Sequence, residues 1–115
     1  MPAGTYNITA EQGATFTRVL TWRDENDALI NLTGYTARMQ VRADYASPTA
    51  ALSLTTENGK ITLGGALGTI TLLVSASDMA AVSGASFVYD LELVNGSNVT
   101  RLVQGNFTVN AEVTR

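Results

Sequence analysis

The sequence predicts an all-β fold, a β-sandwich or barrel of eight or more short strands, on three observations. Apolar and polar residues alternate with a period of two over most of the chain. Tyr35 to Arg42 is the cleanest run, with Tyr35, Ala37, Met39 and Val41 on one side and Thr36, Arg38, Gln40 and Arg42 on the other. Glycine and asparagine recur between these runs, at Gly34, Asn58-Gly59, Gly64-Gly65 and Asn95-Gly96. The composition also suits strands. Sixteen threonines, stiff at their branched Cβ, stand against a single lysine, Lys60, so long helices carrying Glu–Lys pairs are not expected.

Taken in order, Ala14 to Trp22 reads as a strand with Phe16, Leu20 and Trp22 on one face. Arg18 interrupts that face, which predicts a bulge there or an arginine lying near the sheet rim. Residues 23–27, RDEND, form a turn, and Ala28 to Leu32 a short strand closed by Thr33-Gly34. Tyr35 to Arg42 follows, then a loop, 43–49, containing Pro48. Ala50, Leu52 and Leu54 mark another strand, and Glu57-Asn58-Gly59 gives a hairpin signal before Lys60 to Leu63. Thr69 to Val74 points Ile70, Leu72 and Val74 inward. One helical turn is expected near 77–83, capped by Ser77 and ended by Gly84. Ser86 to Val94 puts Phe87, Tyr89, Leu91 and Leu93 on one face and Val88, Asp90, Glu92 and Val94 on the other. Asn95-Gly96 turns the chain into Val99 to Gln104 and Asn106 to Val109, with a bulge expected at Gly105 and a short tail from Glu112. The expected core is Phe16, Leu20, Trp22, Tyr35, Met39, Val41, Leu52, Ile61, Ile70, Leu72, Phe87, Tyr89, Leu91, Leu93 and Phe107.

A chain of 115 residues suits one domain, 1–115, with no linker or repeat, and 45% apolar residues suffice to fill a core. The net charge is −3 and the seven lysines and arginines are scattered, so no nucleic-acid partner is expected, since phosphate binding needs clustered cations. No apolar run approaches the roughly 20 residues that cross a bilayer, so no membrane insertion is expected. The start, MPAGTYNIT, has neither the basic nor the apolar stretch of a signal peptide, which predicts synthesis in a cytoplasm. Five Asn-x-Ser/Thr triplets, at Asn7, Asn31, Asn95, Asn98 and Asn106, are then read as chance in a chain rich in both residues.

The chain has no histidine and no cysteine, which removes Ser-His-Asp and Cys-His nucleophiles, histidine bases and most zinc sites. No catalytic, cofactor-binding or metal residue is assigned. Asp90 and Glu92, two apart on one strand face, have the spacing of a glycosidase pair. The plainer reading is a cross-strand charged face, with both carboxylates meeting Arg38 and Arg42. Asp24, Asn26 and Asp27 offer oxygen ligands to calcium, or simply build a turn. Tyr6, Tyr35, Tyr45 and Trp22 would serve a sugar-stacking platform or the core. Tyr45, in the loop beside Pro48, is the candidate exposed contact.

The order of motifs carries a resemblance. QGATFTRVLTW leads to INLTGYTARMQVR, then ENGKITL, GTITLLVSASDMAAV, FVYDLELV and VTRLVQGNFTVNAEVTR. Over nearly its whole length the chain resembles small structural proteins of the tail region of tailed phages and prophages. It is similar as well to the N-terminal domain of phage baseplate upper proteins. There an LTG-type turn opens a strand, an NGK-type hairpin sits mid-chain and a final strand carries G-x-F-x-V. The 115 residues hold no counterpart of the long C-terminal region that engages receptor-binding proteins in that family. The resemblance implies an immunoglobulin-like antiparallel β-sandwich and a non-enzymatic role as a tail or baseplate assembly subunit. It implies no cofactor, partners that are copies of itself and other phage tail proteins, and a place in the virion tail. The alternative is a carbohydrate-binding or adhesin-like β-sandwich module. The segment PAGTYNIT and the final strand from Val99 to Val109 are expected at sheet edges, free to pair with a neighbouring chain.

Overall fold

The alternating runs become strands because only an extended backbone puts every second side chain on the same face. The computed structural model describes residues 4–82 and 86–111. Nine strands form: β1 Gly4–Thr5, β2 Ile8–Glu11, β3 Phe16–Thr21, β4 Thr36–Arg42, β5 Leu52–Thr55, β6 Ile61–Leu63, β7 Thr69–Val74, β8 Ser86–Asn95 and β9 Asn98–Asn110. A 3-10 turn at Gly65–Leu67 and one short helix, α1 at Ala76–Ala80, complete the elements.

The strands make two sheets, as an all-β sandwich requires. The larger has the order β1-β9-β8-β4-β5, with β2 also on β9, and the smaller the order β3-β7-β6. All pairs are antiparallel except those of β1 and β2, which run parallel to β9, with Gly4 opposite Val103 and Ile8 opposite Phe107. The larger sheet is therefore mixed, where a purely antiparallel one was expected.

One apolar cluster lies between the sheets. Val41, Ile70, Leu72, Leu91 and Leu93 are fully buried, and Phe107 meets Phe16 and Tyr89 edge to face at 5.6 and 6.3 Å. α1 closes one end by inserting Met79. Twelve of the fifteen expected core residues are buried. Leu20, Trp22 and Tyr35 only pack against the cluster from its margin, since Trp22 and Tyr35 lie where β3 ends and β4 has yet to begin. Ile8, Ala10, Leu32, Ala37, Leu54, Val74, Met79, Val82 and Val109 join the core as well.

Several local expectations need correction. The pairing of β3 with β7 is unbroken from Phe16 opposite Val74 to Thr21 opposite Thr69, so Arg18 makes no bulge. Its guanidinium lies at the open mouth of the sandwich, donating to the Tyr6 hydroxyl at 2.6 Å and resting 5.6 Å from the Phe16 ring. Residues 28–32 form no strand. They cross the end of the smaller sheet, held by Ile30 N to Trp22 O and Leu32 N to Gly65 O. The turn at Asn58-Gly59 is not a hairpin, because β5 belongs to one sheet and β6 to the other. The Asn58 side chain folds back on β5, accepting from Thr55 N and donating to Ser53 O, so it ends the ladder instead of opening one. The helix cap is Ser75, whose hydroxyl accepts from Asp78 N at 3.2 Å. Ser77 lies inside the helix, and Gly84 lies outside the described residues.

The bulge in β9 falls at Leu102, between the pairs Leu91–Val103 and Glu92–Arg101. Gly105 is instead regularly opposite Tyr89. β9 is an edge over only part of its length: β1 and β2 occupy its outer side from Val103 to Asn110, and among the described residues no strand pairs there with Asn98–Leu102. The tail from Glu112 lies outside the described residues.

Candidate functional site

The outer face of the larger sheet gathers most of the chemistry that the sequence singled out. β4 presents Arg38, Gln40 and Arg42, and β8 presents Asp90 and Glu92. The two strands are neighbours, with Arg38 opposite Glu92, Gln40 opposite Asp90 and Arg42 opposite Val88. That register decides the pairing. Arg38 Nε donates to Glu92 Oε1 at 2.8 Å. Arg42 has no carboxylate opposite it, and donates instead to Ser47 O and to Gln40 Oε1, each at 2.7 Å. Of the two arginines expected to meet the carboxylates, the structure pairs one.

Arg101 of β9 takes the other role. Its guanidinium lies 3.2 Å from Asp90 Oδ2 and 3.9 Å from Glu92 Oε2. The Leu102 bulge makes this possible, because an extra residue there reverses the alternation and turns Arg101 onto the face of Asp90 and Glu92. Sequence reasoning missed Arg101 by placing the bulge at Gly105. The usable signal was the consecutive apolar pair Leu102-Val103, which breaks the period of two three residues earlier.

The result is a chain of charges, Arg38–Glu92–Arg101–Asp90, closed by Gln40 and Arg42. Three arginines face two carboxylates, so this patch is +1 on a chain of net charge −3. The Glu92 side chain is only 21% exposed and holds two arginines, while its partners are about half exposed. Such pairs are worth roughly 0.2–1 kcal/mol each, with a network at the upper end. Both carboxylates are engaged by guanidinium groups across the strands. Two shallow depressions lie along the face. One of about 310 Å³ is lined by Arg38, Gln40, Asp90 and Glu92. The other, of about 130 Å³, is bordered by Arg42, Val88 and Tyr45, a residue 72% exposed.

The remaining candidates lie elsewhere. Asp24 turns its carboxylate to its own backbone, accepting from Asn26 N and Ala28 N at 2.9 Å, and Asp27 sits 3.8 Å from Arg23. These residues build the turn. Trp22 and Tyr35 pack edge to face at 6.2 Å, and a groove of about 410 Å³ beside Trp22 is lined by Arg23, Asp24, Glu25 and Ile30. Tyr6 is drawn inward: its hydroxyl takes the Arg18 hydrogen bond and its carbonyl accepts from the Tyr89 hydroxyl. Burial pushes the Tyr89 hydroxyl up to about 12. Tyr6 adds to the shift and Arg18 opposes it.

No protein-family model matches this chain, and no curated protein matches its sequence.

Proposed function

We propose that this chain is a non-enzymatic structural protein of a phage virion, an assembly subunit of the tail or baseplate that binds copies of itself and other tail proteins. The observation that carries the reading is the agreement between motif order and element order. The LTG turn leads directly into β4 and the G-x-F-x-V run at 105–109 lies in β9 against the core, while the NGK turn departs from the pattern by crossing between the sheets instead of closing a hairpin. The charged face supports it in a second way. Its arginines and carboxylates are satisfied within the molecule, as suits a rigid body that presents backbone edges and loops to its neighbours. The test is particle analysis. Prophage induction in the strain that encodes the chain, followed by purification of the particles, is expected to recover its peptides in tails at multiple copies per particle. Particles that form fully and contain none of it refute the reading.

The groove beside Trp22 favours one alternative, a carbohydrate-binding module, because an aromatic flanked by Asp24 and Glu25 suits a sugar ring. Glycan-array binding that is lost in W22A would support that module. A blank array would remove it.

A further inference from the structure

The backbone edges of the two sheets are not equally protected. Two of the outward groups of β5 are capped, because the Asn58 amide accepts from Thr55 N and donates to Ser53 O. β6 is three residues long and follows Lys60, whose ammonium is held by Asp78 at 3.2 Å. β2 carries the exposed Glu11, and its Thr9 carbonyl accepts from Arg18. Short length, charge and side-chain caps are the usual means by which edge strands avoid pairing with another chain.

β3 is six residues long, its outward side chains are uncharged, and among the described residues no side chain caps its outer backbone groups. Trp22 N donates to Gly68 O, so the ladder continues with Leu20, Arg18 and Phe16 bonded to β7. The N–H and C=O groups of Thr17, Val19 and Thr21 then point away from it. The side chains of these three residues stand on the exposed outer face, with Val19 55% exposed. Arg18, the one charge in the strand, is turned inward onto Tyr6. The outer face beside it continues without charge through Thr69, Thr71 and Leu73 of β7 and Thr62 of β6.

We infer that β3 is a self-pairing edge, and that a second copy of this chain docks there with its own β3 antiparallel, about a twofold axis through Val19. The strand sequence TRVLT is what selects a second copy. Centred on Val19, it places Thr17 opposite the partner's Thr21 and Val19 opposite the partner's Val19, so every outward side chain meets an uncharged branched one. Each outward residue contributes one N–H and one C=O, so the three pairs close about six backbone hydrogen bonds. The two smaller sheets join into one of six strands. This gives the self-association of the assembly reading a surface, and rests on that reading for its biological purpose.

Charge exchange at Val19 tests it, read by sedimentation velocity over a concentration series. Wild type is expected to dimerise. V19K and V19E each set like charges opposite one another across the axis, and each is expected to weaken dimerisation about tenfold or more. A mixture of V19K and V19E is expected to recover the dimer. Val19 is a surface position, so both variants should melt near wild type, which confirms that they fold. A wild-type chain that stays monomeric at the highest attainable concentration overturns the proposal. So does a dimer that V19K and V19E leave intact, and so does a mixture that stays monomeric. Each failure leaves the virion reading to the particle analysis, whose readout is independent of sedimentation.

Discussion

A Cβ placed on Gly105 would stand 2.5 Å from the carbonyl oxygen of Tyr6. The same carbonyl accepts the hydroxyl of Tyr89, which lies opposite Gly105 on β8. Asn7 Oδ1, which accepts from Asn106 N, would be 2.8 Å from that Cβ. The missing side chain is what lets the segment between β1 and β2 lie directly on β9. G105A should therefore push this segment outward and cost about 1–3 kcal/mol, the range for overpacking a site with no room. Urea denaturation measures it, and a midpoint equal to wild type would mean that the segment does not cross there.

The two large aromatics should differ in cost. Phe107 is 1% exposed and touches two other rings, so F107A should lose about 3–5 kcal/mol. Trp22 is only partly buried and meets Tyr35 at the margin of the core, so W22A should lose less, about 1–2 kcal/mol. Thermal melts of the two variants give the order directly. W22A as damaging as F107A would place Trp22 in the core.

Ser75 and Ser77 should likewise separate. The Ser75 hydroxyl accepts the Asp78 amide at the start of α1, and S75A should cost about 1 kcal/mol. Ser77 is exposed inside the helix, and S77A should change stability by less than about 0.5 kcal/mol. The reverse order would shift the helix start by two residues.

Tyr89 makes a prediction in alkali. Its hydroxyl ordinarily titrates at 10.0 and is pushed up to about 12 in the folded chain, chiefly by burial. Below pH 10 both folded and unfolded chains keep the proton, and the stabilisation is fully present. Between pH 10 and 12 the unfolded chain releases it first, so stability falls as pH rises and this contribution is lost through about 12. Y89F should flatten this part of the alkaline decline. It also loses the hydrogen bond to Tyr6 O, at a cost of about 1 kcal/mol at neutral pH. Urea denaturation of both proteins at neutral and alkaline pH decides it. Identical alkaline slopes would assign the decline to other groups.

The strands were legible where one face is buried and the alternation is strong. β4 and β8 show this best, since a one-residue slip would bring Arg38 or Glu92 into the core. The segment at 28–32 misled because Leu32 is buried and Asn31 exposed, as in a strand, yet among the described residues it makes only one isolated bridge, Leu29 to Arg23, and its backbone bonds run to Trp22, Asp24 and Gly65 outside the named strands. Ile8 and Ala10 were overlooked although Tyr6, Ile8 and Ala10 alternate. The run is short, and its partner lies about 100 residues away, beyond anything local propensity encodes. In the charged face, Arg38 and Glu92 were readable from alternation alone. Arg101 was not, because its direction depends on where one extra residue is inserted in β9.

The parallel pairing of β2 with β9 also sets the timing of folding during synthesis. Ile8 finds its partner only when Phe107 exists. On a ribosome adding about 5–20 residues per second, the N-terminal strands emerge and wait roughly 5–20 s for their ladder. The smaller sheet and the β4–β8 pair can form earlier, since β3, β7, β4 and β8 are all translated first. Residues 4–11 are thus made about 100 residues ahead of their partners and docked late, and a pause in translation before residue 98 would hold the larger sheet open along β8.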